Sequence, residues 1–296
     1  MHTDFNPATN GPGYANGPVT KAPDWHGLVA WDLLFNNLTT GLFLVAATSE
    51  LAAPAVFAPV ARVAYPVALV LLLTDLMFLV LDLGDPLRFH HMLRVFKPSS
   101  PMSLGTWCLT VYSLPLTVAA ALSLIPEGGK NLEWVRRTSV VLGILPALGS
   151  AVYKGVLLST NAQPGWRDAR WLGGYLTNSA FLLGCAEMLA LSVLMRQESA
   201  AATLRNALGL LLVLNVIPLG LLLANLRPVL ARIYTREQLW RIGLLALGVG
   251  TLVPLCLVLV GGSPPLTLGA VTLILLGSLV VRFLIIKIPH ASPSRA

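Results

Sequence analysis

Asp32, Asn36 and Thr40 recur every four residues inside a long apolar run, so a helix puts all three on one face. Asp75 and Asp82 stand seven apart in the next run, again on one face and ~10.5 Å apart along the axis. Tyr153 and Lys154 close a fourth run, Asn178 and Glu187 lie in a fifth, and Asn215 and Asn225 in a sixth. Carboxylates exchange protons, a phenol donates to a carbonyl oxygen, and an ammonium sets the local charge. An aspartate at the bilayer centre costs about 2.5–3.5 kcal/mol on insertion scales. It therefore faces a cavity, a partner group or a proton route, unless it sits at the membrane surface, where the cost is small. Asp32 and Asp82 fit either placement, whereas Asp75 is a turn or two deeper and favours function. The asparagines read first as hydrogen bonds between helices. Tyr153, by position alone, equally suits an aromatic belt.

Other chemistries lack their residues. The histidines are His2, His26, His90, His91 and His290; none is mid-run, and no two can face each other across a bundle to hold a haem. Cys108, Cys185 and Cys256 lie singly in three runs without a Cys-x-x-Cys, which argues against an iron–sulfur cluster. They read as small apolar helix residues. Phosphate-loop, dinucleotide and His-Glu-x-x-His motifs are absent, so no metal site and no nucleic-acid partner is expected.

The elements that position these residues are membrane helices. Hydrophobic residues make up 55% and charged residues 11%, against about 25% charged in soluble domains. Mean hydropathy is +0.74, and runs of eighteen or more apolar residues recur, each long enough for a ~30 Å core. They lack the alternation of barrel strands. Eight spans are predicted, near 27–49, 62–83, 103–125, 134–158, 172–195, 203–226, 238–261 and 265–287. Pro146, Pro218 and Pro254 should kink them, and the loops between, 54–59 among them, are short and rich in Pro and Gly. Residues 1–24 form a polar tail without the features of an export signal.

Eight spans put both termini on one side, with the second-to-third, fourth-to-fifth and sixth-to-seventh connections. Fourteen of the twenty Lys and Arg residues fall there and six on the other side, so the positive-inside rule puts the termini in the cytoplasm. The competing reading is that some of these cations hold an acidic partner. On the same side Trp25, His26, Trp31 and Asp32 open the first span, Asp82 closes the second, Tyr153 and Lys154 close the fourth, and Trp171 and Tyr175 open the fifth. A quinone ring needs this mixture of aromatic and apolar walls, a donor at each carbonyl and a proton source. The connection over residues 81–107 is long and polar, carrying Arg88, His90, His91, Arg94 and Lys97, which suits partner docking.

Three features carry a resemblance. LDLGDPLRF at 81–89 with SPMSLGTW at 100–107 resembles the LDLGRPxRF…SPMSxGxW block of the NrfD/PsrC family of polysulfide reductase-like membrane subunits. AVYKGVLLSTNAQPGW at 151–166 resembles that family's YTGVLLSxTxxPxW block, and the eight-span frame agrees. Two positions depart: Asp85 stands where the family has arginine, and Lys154 where it has threonine. The resemblance implies an all-α integral membrane protein of eight transmembrane helices in two four-helix bundles. These would be residues 27–160, holding a quinone site, and residues 161–296, after a tail at 1–26. It implies exchange of electrons between the quinone pool and a docked ferredoxin-like Fe–S subunit, coupled to a molybdopterin or multihaem catalytic subunit. The setting would be a bacterial-type cytoplasmic (inner) membrane, with menaquinone or ubiquinone and no haem or cluster in this chain. Carried over by position, Tyr153 would hydrogen-bond a quinone carbonyl, and Asp82 would line the pocket or relay protons.

Convergence of polar residues adds His26, Asp32, Asn36 and Lys154 to the expected quinone site, and Asp75 and Glu187 as a deeper proton path. Two other classes remain open, a secondary transporter and a structural anchor without quinone chemistry. The halves show no convincing repeat, and the acids gather at one end where a transporter site would be near the midplane.

Overall fold

A computed structural model describes residues 23, 25–125, 132–163 and 165–291. Most of the polar tail, all of the 126–130 connection, Lys21 and Arg295 lie outside them. Among the described residues there is no strand, and eight helices are long and apolar enough to cross a membrane. They are α1 (Gly27–Ala52), α2 (Pro54–Leu81), α3 (Pro101–Ser123), α4 (Glu133–Ser159), α5 (Leu172–Leu194), α6 (Glu198–Ile233), α7 (Arg236–Val260) and α8 (Pro264–Ala291). The chain is therefore a multi-pass, all-helical membrane protein.

The boundaries differ from the sequence expectation in three places. Residues 54–59 read as a loop because two prolines bracket them, yet α2 begins at Pro54. Proline in a first helical turn loses no hydrogen bond, since those N–H groups have no intrahelical partner. α6 runs well past residue 226 and carries Pro228 near its end. Within α7, residues Leu244–Leu252 wind as a π-helix just before Pro254. Pro254 cannot donate to the carbonyl four residues back and its ring crowds that carbonyl; wider turns relieve both faults.

α1 is the axis of the molecule. It packs on α2 and α4 and also on α5 and α8, so it joins the two halves of the chain. α1 and α5 approach closely at Gly41 and Gly184. A Cβ built on Gly41 would lie 2.0 Å from the Ala180 carbonyl oxygen, and one on Gly184 would lie 2.1 Å from the Gly41 carbonyl. Only glycine lets the α1 and α5 backbones touch here, the small-residue packing that replaces hydrophobic drive in lipid. The start of α1 meets the end of α8: the His26 and His290 rings stack at 4.8 Å, and His290 Nε2 lies 2.7 Å from the Trp25 carbonyl. Both described ends of the chain thus share one side.

Several cations counted as loop charges are buried. Arg282 is fully enclosed between α1, α5 and α8, donating to Asn37 Oδ1 at 2.5 Å, Ser179 Oγ at 3.2 Å and the Ser278 carbonyl at 3.0 Å. At the opposite end Arg136 bonds both Glu50 and Glu133, and Tyr65 donates to Glu50 Oε2 at 2.6 Å. Asn178 and Asn215 make hydrogen bonds between helices: Asn178 donates to Asn215 Oδ1 at 2.8 Å, and Asn215 to Thr251 Oγ1 at 3.2 Å, tying α5, α6 and α7.

Gly41→Val should lower the unfolding midpoint in detergent by the equivalent of about 1–3 kcal/mol, the usual cost of overpacking. Gly220→Ala, where an added Cβ meets nothing within 4 Å, should stay within about 1 kcal/mol of the parent.

Candidate functional site

α1, α2 and α4 each send one charged side chain to a common point inside the membrane. Lys154 Nζ lies 2.7 Å from Asp32 Oδ1, 3.0 Å from Asp75 Oδ1 and 3.1 Å from the Asp32 carbonyl oxygen. All three residues are buried, Asp75 completely. An ammonium has three donors, and these three acceptors use all of them. Asn36 extends the group, donating to Ser150 Oγ at 3.0 Å and weakly to Asp75 Oδ2 at 3.4 Å. The helical spacing explains the assembly: Asp32 and Asn36 share one face of α1, and that face looks at both α2 and α4. One ammonium thus sits between two carboxyl groups, and its charge offsets the burial of both.

A cavity of about 280 Å³ opens on this cluster. Asp32, Asp82, Tyr153 and Lys154 line it on the polar side, and Leu33, Leu79, Leu157, Met92 and Met102 supply apolar wall. This is the composition of a small-molecule site: mostly apolar, with a few convergent polar groups. Its volume suits a ring-sized headgroup and leaves no room for a long tail. Larger clefts of about 430, 490 and 530 Å³ open elsewhere, but none of them gathers an acid pair, a tyrosine and a lysine.

Tyr153 owes its place to Gly105. A Cβ built on Gly105 would fall 1.8 Å from Tyr153 Cδ2, inside the ring. The glycine of SPMSLGTW on α3 and the tyrosine on α4 are therefore one structural unit, a pairing that neither sequence block shows alone. Lys154 Nζ sits 5.7 Å from the Tyr153 ring centroid. Asp82 caps the C-terminus of α2, just beyond the span. Partial burial pushes its carboxyl up to about 6; the Asp32 carboxylate adds to this and His26 opposes it.

The connection that follows folds as a 3-10 helix over Pro86–Leu93. It turns Met92 into the cavity while Arg88, His90 and His91 stay exposed, as do Arg94 and Lys97 beyond it. Leu87, Phe89, Val95 and Phe96 are exposed among them, so the surface is basic and apolar together. Asp85 pairs with Arg88 at 2.9 Å.

Most of the expected site residues thus converge: Asp32, Asn36, Asp75, Asp82, Tyr153 and Lys154. His26 lies beside them at the end of the bundle, close enough to influence Asp82, although it does not line the cavity. Glu187 is apart. Its Oε2 is buried without a hydrogen-bond partner among the described residues, and no hydrogen bond links it to the Asp75 cluster. Glu50 and Arg282 were not singled out from sequence. Glu50 follows Asp32 by eighteen residues, five full turns, so its position on the polar face of α1 was legible. Among the described residues no group of three His, Cys, Asp or Glu side chains could hold a metal ion.

Lys154→Met should strand two buried carboxylates and destabilise the protein by about 3–5 kcal/mol, read as a lower unfolding midpoint. Adding Asp75→Asn removes one of those charges, so the double variant should recover part of the loss. Gly105→Ala should displace the Tyr153 ring and weaken ligand binding in the cavity more than it lowers the midpoint.

No curated protein sequence matches the chain. A family model described as polysulfide reductase, of the NrfD type, matches residues 18–292, nearly the whole chain. The chain therefore belongs to the NrfD polysulfide reductase family, whose members are membrane subunits of quinone-linked oxidoreductase complexes.

Proposed function

We propose that this subunit exchanges electrons between the quinone pool and an Fe–S subunit docked on the basic 3-10 surface, with protons handled by the chain's own acids. The observation that carries the proposal is the cavity in which Tyr153, Asp82, Asp32 and Lys154 meet an apolar wall. A quinol supplies two electrons and two protons. The electrons leave through the partner, and the protons need acceptors within the protein.

Tyr153 is the donor proposed for one quinone oxygen, and the Gly105 contact fixes its ring. Asp82 is the proposed proton acceptor. It lies at the cavity wall and at the membrane surface together, so it can pass a proton to water. Asp32 offers a second carboxylate. Lys154 acts through charge, because its three donors are taken by Asp32 and Asp75; it sets the field at the ring without bonding to it. Asp75, held by Asn36, is the proposed carboxyl station inward, and Glu187 a more distant one. His26 tunes Asp82 from the rim. The apolar wall excludes water and leaves the isoprenoid tail to the lipid.

For docking, Arg88, His90, His91, Arg94 and Lys97 offer charge around Leu87 and Phe89, an anchor for an acidic partner face. Met92 belongs to both the cavity and this segment, so the ring and the partner's cluster would be separated by little more than one helix thickness. The ferredoxin-like subunit would pass electrons to or from a molybdopterin or multihaem enzyme, in a bacterial-type inner membrane. The loop charges favour cytoplasmic termini: with Lys154, Arg282 and Arg136 removed as buried, fourteen against six becomes twelve against five.

Quinone-linked activity of the purified complex tests the reading. Tyr153→Phe should lower kcat/KM for quinol roughly tenfold or more, and Asp82→Asn should do so mainly through kcat. Unchanged activity in both variants, at normal subunit content, would contradict the proposal. With its carboxyl titrating near 6, Asp82 is ionised and able to accept above that pH and protonated below it. Quinol oxidation should therefore fall as pH drops through about 6, quinone reduction should change in the opposite sense, and Asp82→Asn should flatten either profile.

A further inference from the structure

A second cleft lies on the far half of the molecule, between the end of α6 and the start of α7, with a volume of about 430 Å³. Leu223 and Leu230 of α6 and Leu239 of α7 line it, and Arg227 and Arg236 stand one on each wall. It shares no residue with the cavity around Tyr153. Trp240 also lines the cleft and is 71% exposed, and Leu244, one turn further on, is 65% exposed. An exposed tryptophan followed by exposed leucine marks where a helix passes from the interface into lipid. The cleft therefore straddles the depth at which headgroups meet acyl chains.

Its charge is unbalanced. Between residues 227 and 241 stand Arg227, Arg232, Arg236 and Arg241 against the single acid Glu237. Glu237 is taken by Arg241 at 2.5 Å. Among the described residues neither Arg227 nor Arg236 makes an ion pair. Arg227 and Arg236 are exposed, and two guanidinium forks at the rim of an apolar cleft suit an anion that carries its own apolar tail. Guanidinium binds phosphate in two-point contacts that an ammonium cannot reproduce.

We propose that this cleft binds an anionic phospholipid, with its phosphate between Arg227 and Arg236 and its first acyl carbons against Leu223, Leu230 and Leu239. The bound lipid fills the gap between α6 and α7. Basic pockets between membrane helices are the recognised setting for such sites. The π-helical stretch of α7 begins at Leu244, immediately beyond Gly243 in the cleft wall. The lipid would thus brace the least regular helix of the fold at the point where its winding changes.

Native mass spectrometry of the full chain in detergent, titrated separately with cardiolipin and with phosphatidylcholine, tests this. The parent should retain cardiolipin at concentrations where phosphatidylcholine is lost. The double variant Arg227→Ala/Arg236→Ala should bind it roughly tenfold or more weakly. Arg227→Lys/Arg236→Lys should recover only part, and Arg232→Ala, outside the cleft, should match the parent. Equal retention of both lipids by the parent, or equal cardiolipin binding by the double alanine variant, would overturn the proposal. So would a protein subunit found cross-linked within the cleft in the purified complex, because the lipid could not then occupy it.

Discussion

One ammonium held between two carboxylates, inside a membrane, fixes the first half of this protein. Lys154, Asp32 and Asp75 come from α4, α1 and α2, and the ammonium offsets the burial of both carboxyl groups. Each isolated charge would cost several kcal/mol in lipid. Together they pin three helices at one depth and one rotation. The cavity and the position of Asp82 at its rim follow from that alignment, and Gly105 of α3 sets the Tyr153 ring beside them.

The same logic recurs at lower stakes elsewhere. Arg136 with Glu50 and Glu133 fastens α1 to α4 at the opposite end, and Arg282 with Asn37 and Ser179 fastens α8 to α1 and α5. In lipid the apolar contacts that drive soluble folding offer little between helices, so polar clasps and close glycine crossings take over. α1 carries polar residues towards both ends, Asp32 to Thr40 and Thr48 to Glu50, for this reason. It touches both halves of the molecule and faces hardly any lipid.

Much of this was legible in the sequence. Apolar run length gave the class and the eight spans, and the four-residue spacing of Asp32 and Asn36 gave the polar face of α1. The motif blocks gave the family and drew attention to Tyr153, Asp82 and the basic connection. What sequence could not give was partnership across helices. Lys154 read as a departure beside the tyrosine; only its approach to Asp32 and Asp75 reveals why a cation stands there. Gly105 and Tyr153 belong to different motifs, and their contact depends on how α3 lies against α4. Arg282 was counted with the loop charges because a guanidinium deep in a span is rare, and its neutral partners Asn37, Ser179 and Ser278 give no charge pattern to find. Proline misled at residues 54–59, where a helix start and a loop have the same composition.

Photoaffinity labelling with a short-tailed azidoquinone, followed by peptide mapping, tests the central claim most directly, because it reports where the ring sits without relying on turnover. The account predicts label on the peptides carrying Met92, Met102 and Leu157, protected by excess unlabelled quinone. Label concentrated at the clefts around Arg205 or Arg227, or label spread over the lipid-facing surface without protection, would contradict it.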